Sequence, residues 1–502
     1  MYLLGIDVGT TNTKAVIFDT DTGQVRSLGH ARTITRHPSR EESEFDADEL
    51  WQTVMHCLRQ AIAQCDHPDA IRAISVASMG EAGFPLDSQG NVLYPAIAWH
   101  DSRTTAQAQW WHDTFDRKQL YTITGQVLHP MFGINKLLWL RDNRPNVFQR
   151  MHQWLSIEDF VLWKLSGCTA TDYSIASRTM MFDQRALTWS ETLLKHAGLS
   201  INSFPSVVSS GIEIGTVTKQ LAEDLGLSPT TAVVTGGHDH LCAALAVGVV
   251  QPGQILDSAG TAGAVLALSN TFQASNELLA GGYSHYAYVL PHSYVTMGSI
   301  SFAGGAVEWL VNLLYGRSMQ TLASEDMYIQ ALQEAVQAPL GSQGITILPY
   351  FLGTGTPHGQ DAATATFLGI TPSHSRSELV RALIEGLGFW LRDNLETFAS
   401  MSIARLHPEI IAVGGATRAT ALMQIKANIT GCRIKVPLVP ETAATGAALL
   451  AGIGVHAFSS VNEAVASIKH SEKVYEPEQE AALQYSDLYQ HVYIPARRSI
   501  LK

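Results

Sequence analysis

Two stretches half a chain apart repeat one pattern, and that echo constrains the fold more than any other feature. Leu3 to Phe18 reads as an apolar strand, a Gly9-Thr10-Thr11-Asn12-Thr13 turn and a second apolar strand, which together make a hairpin. Ile255 to Leu268 is again strand, turn and strand, with Gly260-Thr261 at the turn. An internal echo at this distance suggests two related domains facing each other across a cleft, each offering one Gly-Thr loop to the same ligand. A length of 502 residues, too great for one ordinary core, points the same way.

The first loop carries a carboxylate. Asp7 ends its strand and points at a turn where backbone N–H groups and the hydroxyls of Thr10, Thr11 and Thr13 converge. Such a turn suits phosphate oxygens, with Asp7 near a hydrated Mg²⁺. An ordinary hairpin with a polar turn is the other reading. Near mid-chain, Ala232-Val233-Val234-Thr235 reads as a short buried strand and Leu241 to Leu245 as a helix, with Gly236-Gly237 turning the backbone between them. Asp239 then sits at a helix N-terminus, placed to act as general base on a substrate hydroxyl, or simply to cap the helix. His238 and His240 flank it, but a histidine pair without a third ligand makes a weak metal site.

Composition removes several function classes. A net charge of −12 with scattered basic residues argues against a nucleic-acid surface; the pair Arg497-Arg498 reads as a solvated tail. Five cysteines without a C-x-x-C pair suit a reducing compartment and give no structural zinc. No apolar run is long enough to span a bilayer, and the N-terminus enters a strand directly, so the expected location is the cytoplasm. No Walker A pattern is present.

Five segments in order resemble the FGGY family of carbohydrate kinases, within the actin and hexokinase superfamily. They are Asp7 to Lys14, Ser258 to Thr261, Ala365 to Thr371 with Leu379 to Gly386, Val413 to Arg418 with Gln424 and Asn428 on the following helix, and Glu441 to Ala448. The resemblance implies an α/β fold of two duplicated actin-like (ribonuclease H-like) ATPase domains around a central cleft. The expected boundaries are 1–247 for a sugar-binding domain with the first phosphate loop and the catalytic Asp, and 248–490 for a nucleotide-binding domain. ATP and Mg²⁺ are the implied cofactors, a small sugar is the implied substrate, and a homodimer is compatible with the reading.

The same resemblance distributes roles. Asp239 accepts the proton of the sugar hydroxyl, and Asp7 holds water on Mg²⁺. Thr10, Thr11, Asn12, Thr13, Lys14, Gly260, Thr261, Gly304, Gly414, Gly415, Ala416 and Thr417 are expected to contact ATP. Met79, Gly80, Glu81 and Asp101 are expected to line the sugar pocket, with a surface-loop acid as the alternative for Glu81 and a structural ion pair as the alternative for Arg103. Trp99 is core or pocket wall, and the helix around Lys136 is scaffold. Glycerol kinases carry Gln-Arg-Glu where this chain has Met79-Gly80-Glu81, and xylulokinases carry Gln-Met-His-Gly. Gly80 leaves more room than either, so a ketose of five or six carbons, xylulose among them, fits best. L-fuculose, L-ribulose, gluconate and glycerol are alternatives, as is a non-kinase ATPase or sugar sensor of the same superfamily.

Overall fold

The computed structural model describes residues 1–39, 42–314, 325–360, 362–405 and 409–501. Its frame is a pair of sheets. The first contains β1 (Tyr2–Val8), β2 (Asn12–Asp19), β3 (Gln24–Arg32), β4 (Ile71–Ser78), β5 (Glu213–Thr216) and β6 (Ala232–His238), in the order β5-β6-β4-β1-β2-β3. The second contains β7 (Ile255–Ala259), β8 (Gly263–Ser269), β9 (Ser284–Ala287), β10 (Tyr294–Ile300), β11 (Ile410–Val413), β12 (Ile434–Pro437) and β13 (Glu472–Tyr475), in the order β9-β10-β8-β7-β11-β12-β13.

The echo in the sequence is an echo in topology. β1 pairs antiparallel with β2 and β2 with β3, whereas β1–β4 and β4–β6 are parallel. In the second sheet β7–β8 and β8–β10 are antiparallel, and β7–β11 and β11–β12 are parallel. Each sheet therefore has a three-strand meander followed by two parallel strands, which need helical crossovers. This is the duplicated actin-like architecture expected from the sequence.

Helices cover the sheets. α1 (Ala47–Ile62) starts at Asp46, whose carboxylate accepts the N–H groups of Asp48 and Glu49, and its apolar face of Leu50, Val54, Leu58 and Ile62 is buried. α2 (Ile157–Ser166) follows the short strand Gln153–Ser156. α3 (Asp239–Ala246) leaves the end of β6 directly. In the second half, α4 (Gly304–Leu314) lies beside the second loop, α5 (Arg376–Ser400) runs across the sheet, and α6 (Thr420–Thr430) follows β11. α7 (Thr442–Gly454) crosses over and packs against α3, β1, β4 and β6 of the first sheet. One core thus contains Leu3, Phe18, Leu241 and Leu245 together with Leu256, Leu266, Ile411, Ala447 and Leu450.

The small residues of α7 explain the crossing. A Cβ on Gly446 would lie 1.9 Å from the Cys242 carbonyl oxygen, and one on Gly5 of β1 would lie 1.9 Å from that of Ala444. Glycine at these points lets backbone meet backbone. The C-terminal arm is docked rather than solvated, contrary to the expectation for Arg497: that side chain pairs with Asp393 of α5, and Tyr489 donates to the same carboxylate at 2.5 Å. Among the described residues no helix is long and apolar enough to cross a membrane.

Candidate active site

Parallel strands deliver their C-terminal ends, and the loops beyond them, to one edge of the sheet. In the first sheet β1, β4 and β6 bring Asp7, the loop Met79–Ala82 and Asp239 to that edge. Asp239 is close enough to Asp7 to raise its proton affinity. Burial, then the charge of Asp239, push the Asp7 carboxyl up to about 8, with Lys14 opposing and Glu441 adding. Burial likewise raises Asp239, against His240 and its N–H; Glu81 adds to the rise and Arg178 opposes it.

Asp7 Oδ1 is buried without a hydrogen-bond partner among the described residues. An unpaired buried carboxylate facing a second acid is costly, and a hydrated divalent cation would relieve both charges. The residues therefore fit the cation that the sequence implies. The second loop has Ser258 at the position matching Asp7, so the acid belongs to one copy of the duplicated motif.

The loops themselves differ from expectation in part. Thr10 Oγ1 accepts from Trp99 Nε1 at 2.9 Å and meets Met79 Sδ at 3.9 Å, which makes the half-exposed Trp99 a wall of the first loop. Thr11 is exposed at the tip. Thr13 does not reach the cleft: it is fully buried, and its hydroxyl shares a 2.9 Å hydrogen bond with Thr33, which in turn donates to the Gly9 carbonyl. It braces the turn from behind, because it lies on β2 with its side chain on the core face. Asn12 Oδ1 meets His30, and Lys14 Nζ lies 2.5 Å from Glu441 Oε2. Glu441 has φ +43 just before α7, and its carboxylate was missed in the sequence because its neighbour comes from the other end of the chain.

β6 corrects the reading of the two glycines. The strand runs through Gly236 and Gly237 to His238, with a bulge between Val234 and Gly237, so the glycines do not form the turn. They are required by close approach: a Cβ on Gly236 would lie 2.0 Å from the Val76 carbonyl oxygen and one on Gly237 2.8 Å from Ser174 Oγ. The cap position is His238, and Asp239 is the first helical residue, its Oδ1 accepting the His240 N–H at 2.6 Å. Its side chain stays one-quarter exposed to the cleft, free for chemistry. His238 Nε2 lies 3.4 Å from Asp239 Oδ1, and with His240 the three donor atoms fall within 4.8 Å, so the histidine pair has the third donor that the spacing lacked. The positive end of α3 opposes a cation there. Burial, then the charges of Arg178 and His240, hold His238 well below the usual imidazole range, which favours the neutral ring.

The acid at Glu81 is not on a surface loop. It is 6% exposed, at φ +68, and Arg178 Nε donates to its Oε1 at 2.6 Å. Arg178 lies over the rings of Phe132 and Tyr286. The room at Gly80 is taken: a Cβ there would meet Arg178 Cγ at 2.9 Å and His238 Cδ2 at 3.4 Å. Lys136 is fully buried and donates to the carbonyls of Glu81 (2.9 Å) and Met131 (2.8 Å), so its helix does more than scaffold. Asp101 is withdrawn from the pocket. Its oxygens accept from Arg103 N, Nε and Nη2 at 2.9, 2.9 and 2.7 Å and from Ser43 N at 2.7 Å, which saturates it as half of an ion pair.

In the second domain Gly260 and Thr261 form the β7–β8 turn, and their carbonyls accept the N–H groups of Gly304 and Gly305, each at 3.1 Å. Gly304 therefore closes the loop with its N–H rather than offering it to a ligand. Gly414, at φ +100, passes 2.6 Å (as a Cβ) from the Ala259 carbonyl oxygen, which brings Gly415, Ala416 and Thr417 beside the second loop, with Gly415 in open space. An apolar cavity between them is lined by Val307, Tyr328, Leu387, Trp390 and Ala416, with the Asp257–Lys426 ion pair (2.5 Å) in its wall. Asn428 is occupied by Glu478 and anchors the C-terminal arm.

The comparisons with known proteins agree with this geometry. Residues 2–246 match the N-terminal domain of the FGGY family of carbohydrate kinases and residues 256–455 its C-terminal domain. A xylulose kinase of Staphylococcus xylosus is 26% identical over 97% of this chain and 98% of its own. A glycerol kinase of Thermococcus gammatolerans is 30% identical over 95% and 93%. The crystal structure of a xylulose kinase from Rhodospirillum rubrum covers all of both chains with a TM-score of 0.90 at 25% identity, and that of a gluconate kinase from Lactobacillus acidophilus covers 100% and 98% with a TM-score of 0.89, also at 25%. A duplicated fold, a Gly-Thr loop in each half and a matched family model over both halves make this chain a member of the FGGY family of carbohydrate kinases, ATP-dependent phosphotransferases that act on sugars.

Proposed function

We propose that the enzyme transfers the γ-phosphoryl group of ATP to a hydroxyl of a neutral ketose such as xylulose. The observation that carries the substrate class is the Glu81–Arg178 pair facing Asp239. Arg178 is neutralised by Glu81, so its charge is already spent within the pair. A sugar carboxylate entering there meets an arginine whose charge is already paired, whereas the hydroxyls of a ketose can bond to either member of the pair.

In this reading residues 1–247 hold the sugar and 248–490 the nucleotide. Asp239 accepts the hydroxyl proton as the oxygen attacks the γ-phosphorus. Asp7 would hold Mg²⁺ through water, and the cation would neutralise phosphate charge when bound. Lys14, the Thr10–Thr11 turn and the Gly260–Thr261 turn steady phosphate oxygens from opposite sides, and the cavity by Tyr328 and Ala416 receives the base. Most of the rate enhancement then comes from positioning and charge neutralisation.

The test is ADP release from MgATP across D-xylulose, L-xylulose, D-ribulose, L-ribulose, L-fuculose, L-rhamnulose, gluconate, erythritol and glycerol. A neutral ketose should raise turnover far above the rest. Preference for gluconate would overturn the charge argument, and hydrolysis indifferent to every sugar would overturn the kinase reading for this panel.

A further inference from the structure

The bulge in β6 leaves a polar debt just before Asp239. Between Val234 and Gly237 the strand carries an extra residue relative to β4, so the ladder does not serve every N–H there. The Gly236 N–H is buried and donates to Glu158 Oε1 of α2 at 2.7 Å. Two residues on, the His238 N–H donates to Ser174 Oγ at 2.9 Å. Ser174 is fixed by Asp172, whose Oδ1 accepts its N–H at 2.7 Å and the Ser210 hydroxyl at 3.0 Å. These two side chains hold the last three residues of β6 from one side.

We propose that Glu158 is a positioning residue for Asp239: its carboxyl secures the bulge in β6 and so fixes the direction in which α3, with Asp239 at its head, leaves the sheet. The inference rests on Asp239 as the base. Glu158 is fully buried beside Asp172, and burial followed by that neighbouring charge raises its carboxyl well above the usual range. Both effects favour its neutral form. Its Oε1 accepts from Gly236, and its Oε2 is buried without a hydrogen-bond partner among the described residues. A neutral hydrogen-bonding group of the same shape should replace it, and an apolar one should not.

The experiment compares Glu158→Gln and Glu158→Leu in the full-length enzyme, by steady-state kinetics, MgADP affinity and amide exchange over 232–240. Glu158→Leu should lower kcat at least about tenfold, within the ~100-fold that a misplacement of about 1 Å can cost, and should speed exchange at Gly236 while leaving MgADP affinity within about twofold. Glu158→Gln should stay within about threefold of the parent in kcat, because its amide oxygen accepts the same N–H. Full kcat in Glu158→Leu, or an equal fall in both variants, overturns the inference. Should Glu158→Leu fail to fold, Ser174→Ala removes the other acceptor and must lower kcat with MgADP affinity kept; unchanged kcat there overturns it too. A parent enzyme without sugar-dependent turnover would sink the kinase reading instead, and the exchange data would still decide the role of Glu158: unchanged exchange in Glu158→Leu would overturn it.

Discussion

Arg178 and Glu81 stand 97 residues apart in sequence and form one buried ion pair, 2.6 Å from Nε to Oε1, with side chains 7% and 4% exposed. Glu81 holds φ +68, a conformation that a non-glycine residue keeps only when its surroundings enforce it. Removing one partner of such a pair strands the other charge. Arg178→Met should therefore destabilise the protein by about 3–5 kcal/mol and raise the KM for the sugar more than that for MgATP. Denaturant melts and initial-rate kinetics check both; an unaltered sugar KM would remove the pair from the pocket.

Lys136 tests the same loop from its backbone side. Burial pulls its ammonium down to about 7, opposed by Glu81 and Asp101. The unfolded chain keeps this proton up to about 10.5, so between about pH 7 and 10 the unfolded state binds more protons and this group's contribution to stability rises with pH. Lys136→Met should abolish that rise and, by releasing the Glu81 carbonyl, weaken sugar binding with little effect on MgADP. Thermal melts from pH 6 to 10 would show a Lys136→Met profile parallel to the parent if the lysine were simply well solvated.

Asp7 gives the opposite slope. Its folded value is about 8 and its ordinary value 3.8. Between these the unfolded state has lost the proton that the folded state keeps, so in Mg²⁺-free buffer stability falls as pH rises through this window. Asp7→Asn should remove the fall and melt above the parent at pH 8 and beyond, while losing turnover. Added Mg²⁺ should raise the parent's melting temperature most at high pH and leave Asp7→Asn unmoved. A constant difference between the two proteins at every pH would mean that Asp7 already has a compensating partner.

Each hairpin, the helix faces and the place of Asp239 at a helix start were legible because each is local: periodicity, turn residues and a strand running into a helix lie within about twenty residues. What was not legible depends on distant partners. Thr13 and Thr11 look alike in the sequence, but Thr11 lies in the turn before β2, whereas Thr13 is on the strand and its hydroxyl reaches Thr33 just beyond β3. Asp101 looks as free as Asp239 until Arg103 and Ser43 fill its lone pairs. Gly236 and Gly237 signalled a special backbone, and the error was to read close approach as a turn. Glu158 gave no signal, since an acid at the start of a helix is ordinary.

Asp239 itself carries the plainest kinetic prediction. It is part-exposed and close to Asp7. Asp239→Asn should keep sugar and ATP binding and lower kcat at least about a hundredfold. Binding can be followed by calorimetry with the sugar and MgADP. Unchanged kcat would remove it as the base.

The last prediction concerns the joint between the halves. Gly446 lies inside α7, where alanine would ordinarily stabilise a helix by up to about 1 kcal/mol. Here its Cβ would sit 1.9 Å from the Cys242 carbonyl oxygen of α3, nearer than atoms can approach, and overpacking of a filled core costs about 1–3 kcal/mol. The clash outweighs the propensity, so Gly446→Ala should lower the melting temperature. The clash also has a direction. Backbone on both helices must separate, and α3 begins with Asp239, so the residual enzyme should lose kcat more than affinity for either substrate. A more stable Gly446→Ala variant with full activity would show that α3 and α7 can part without cost, and that the crossing does not set the position of the base.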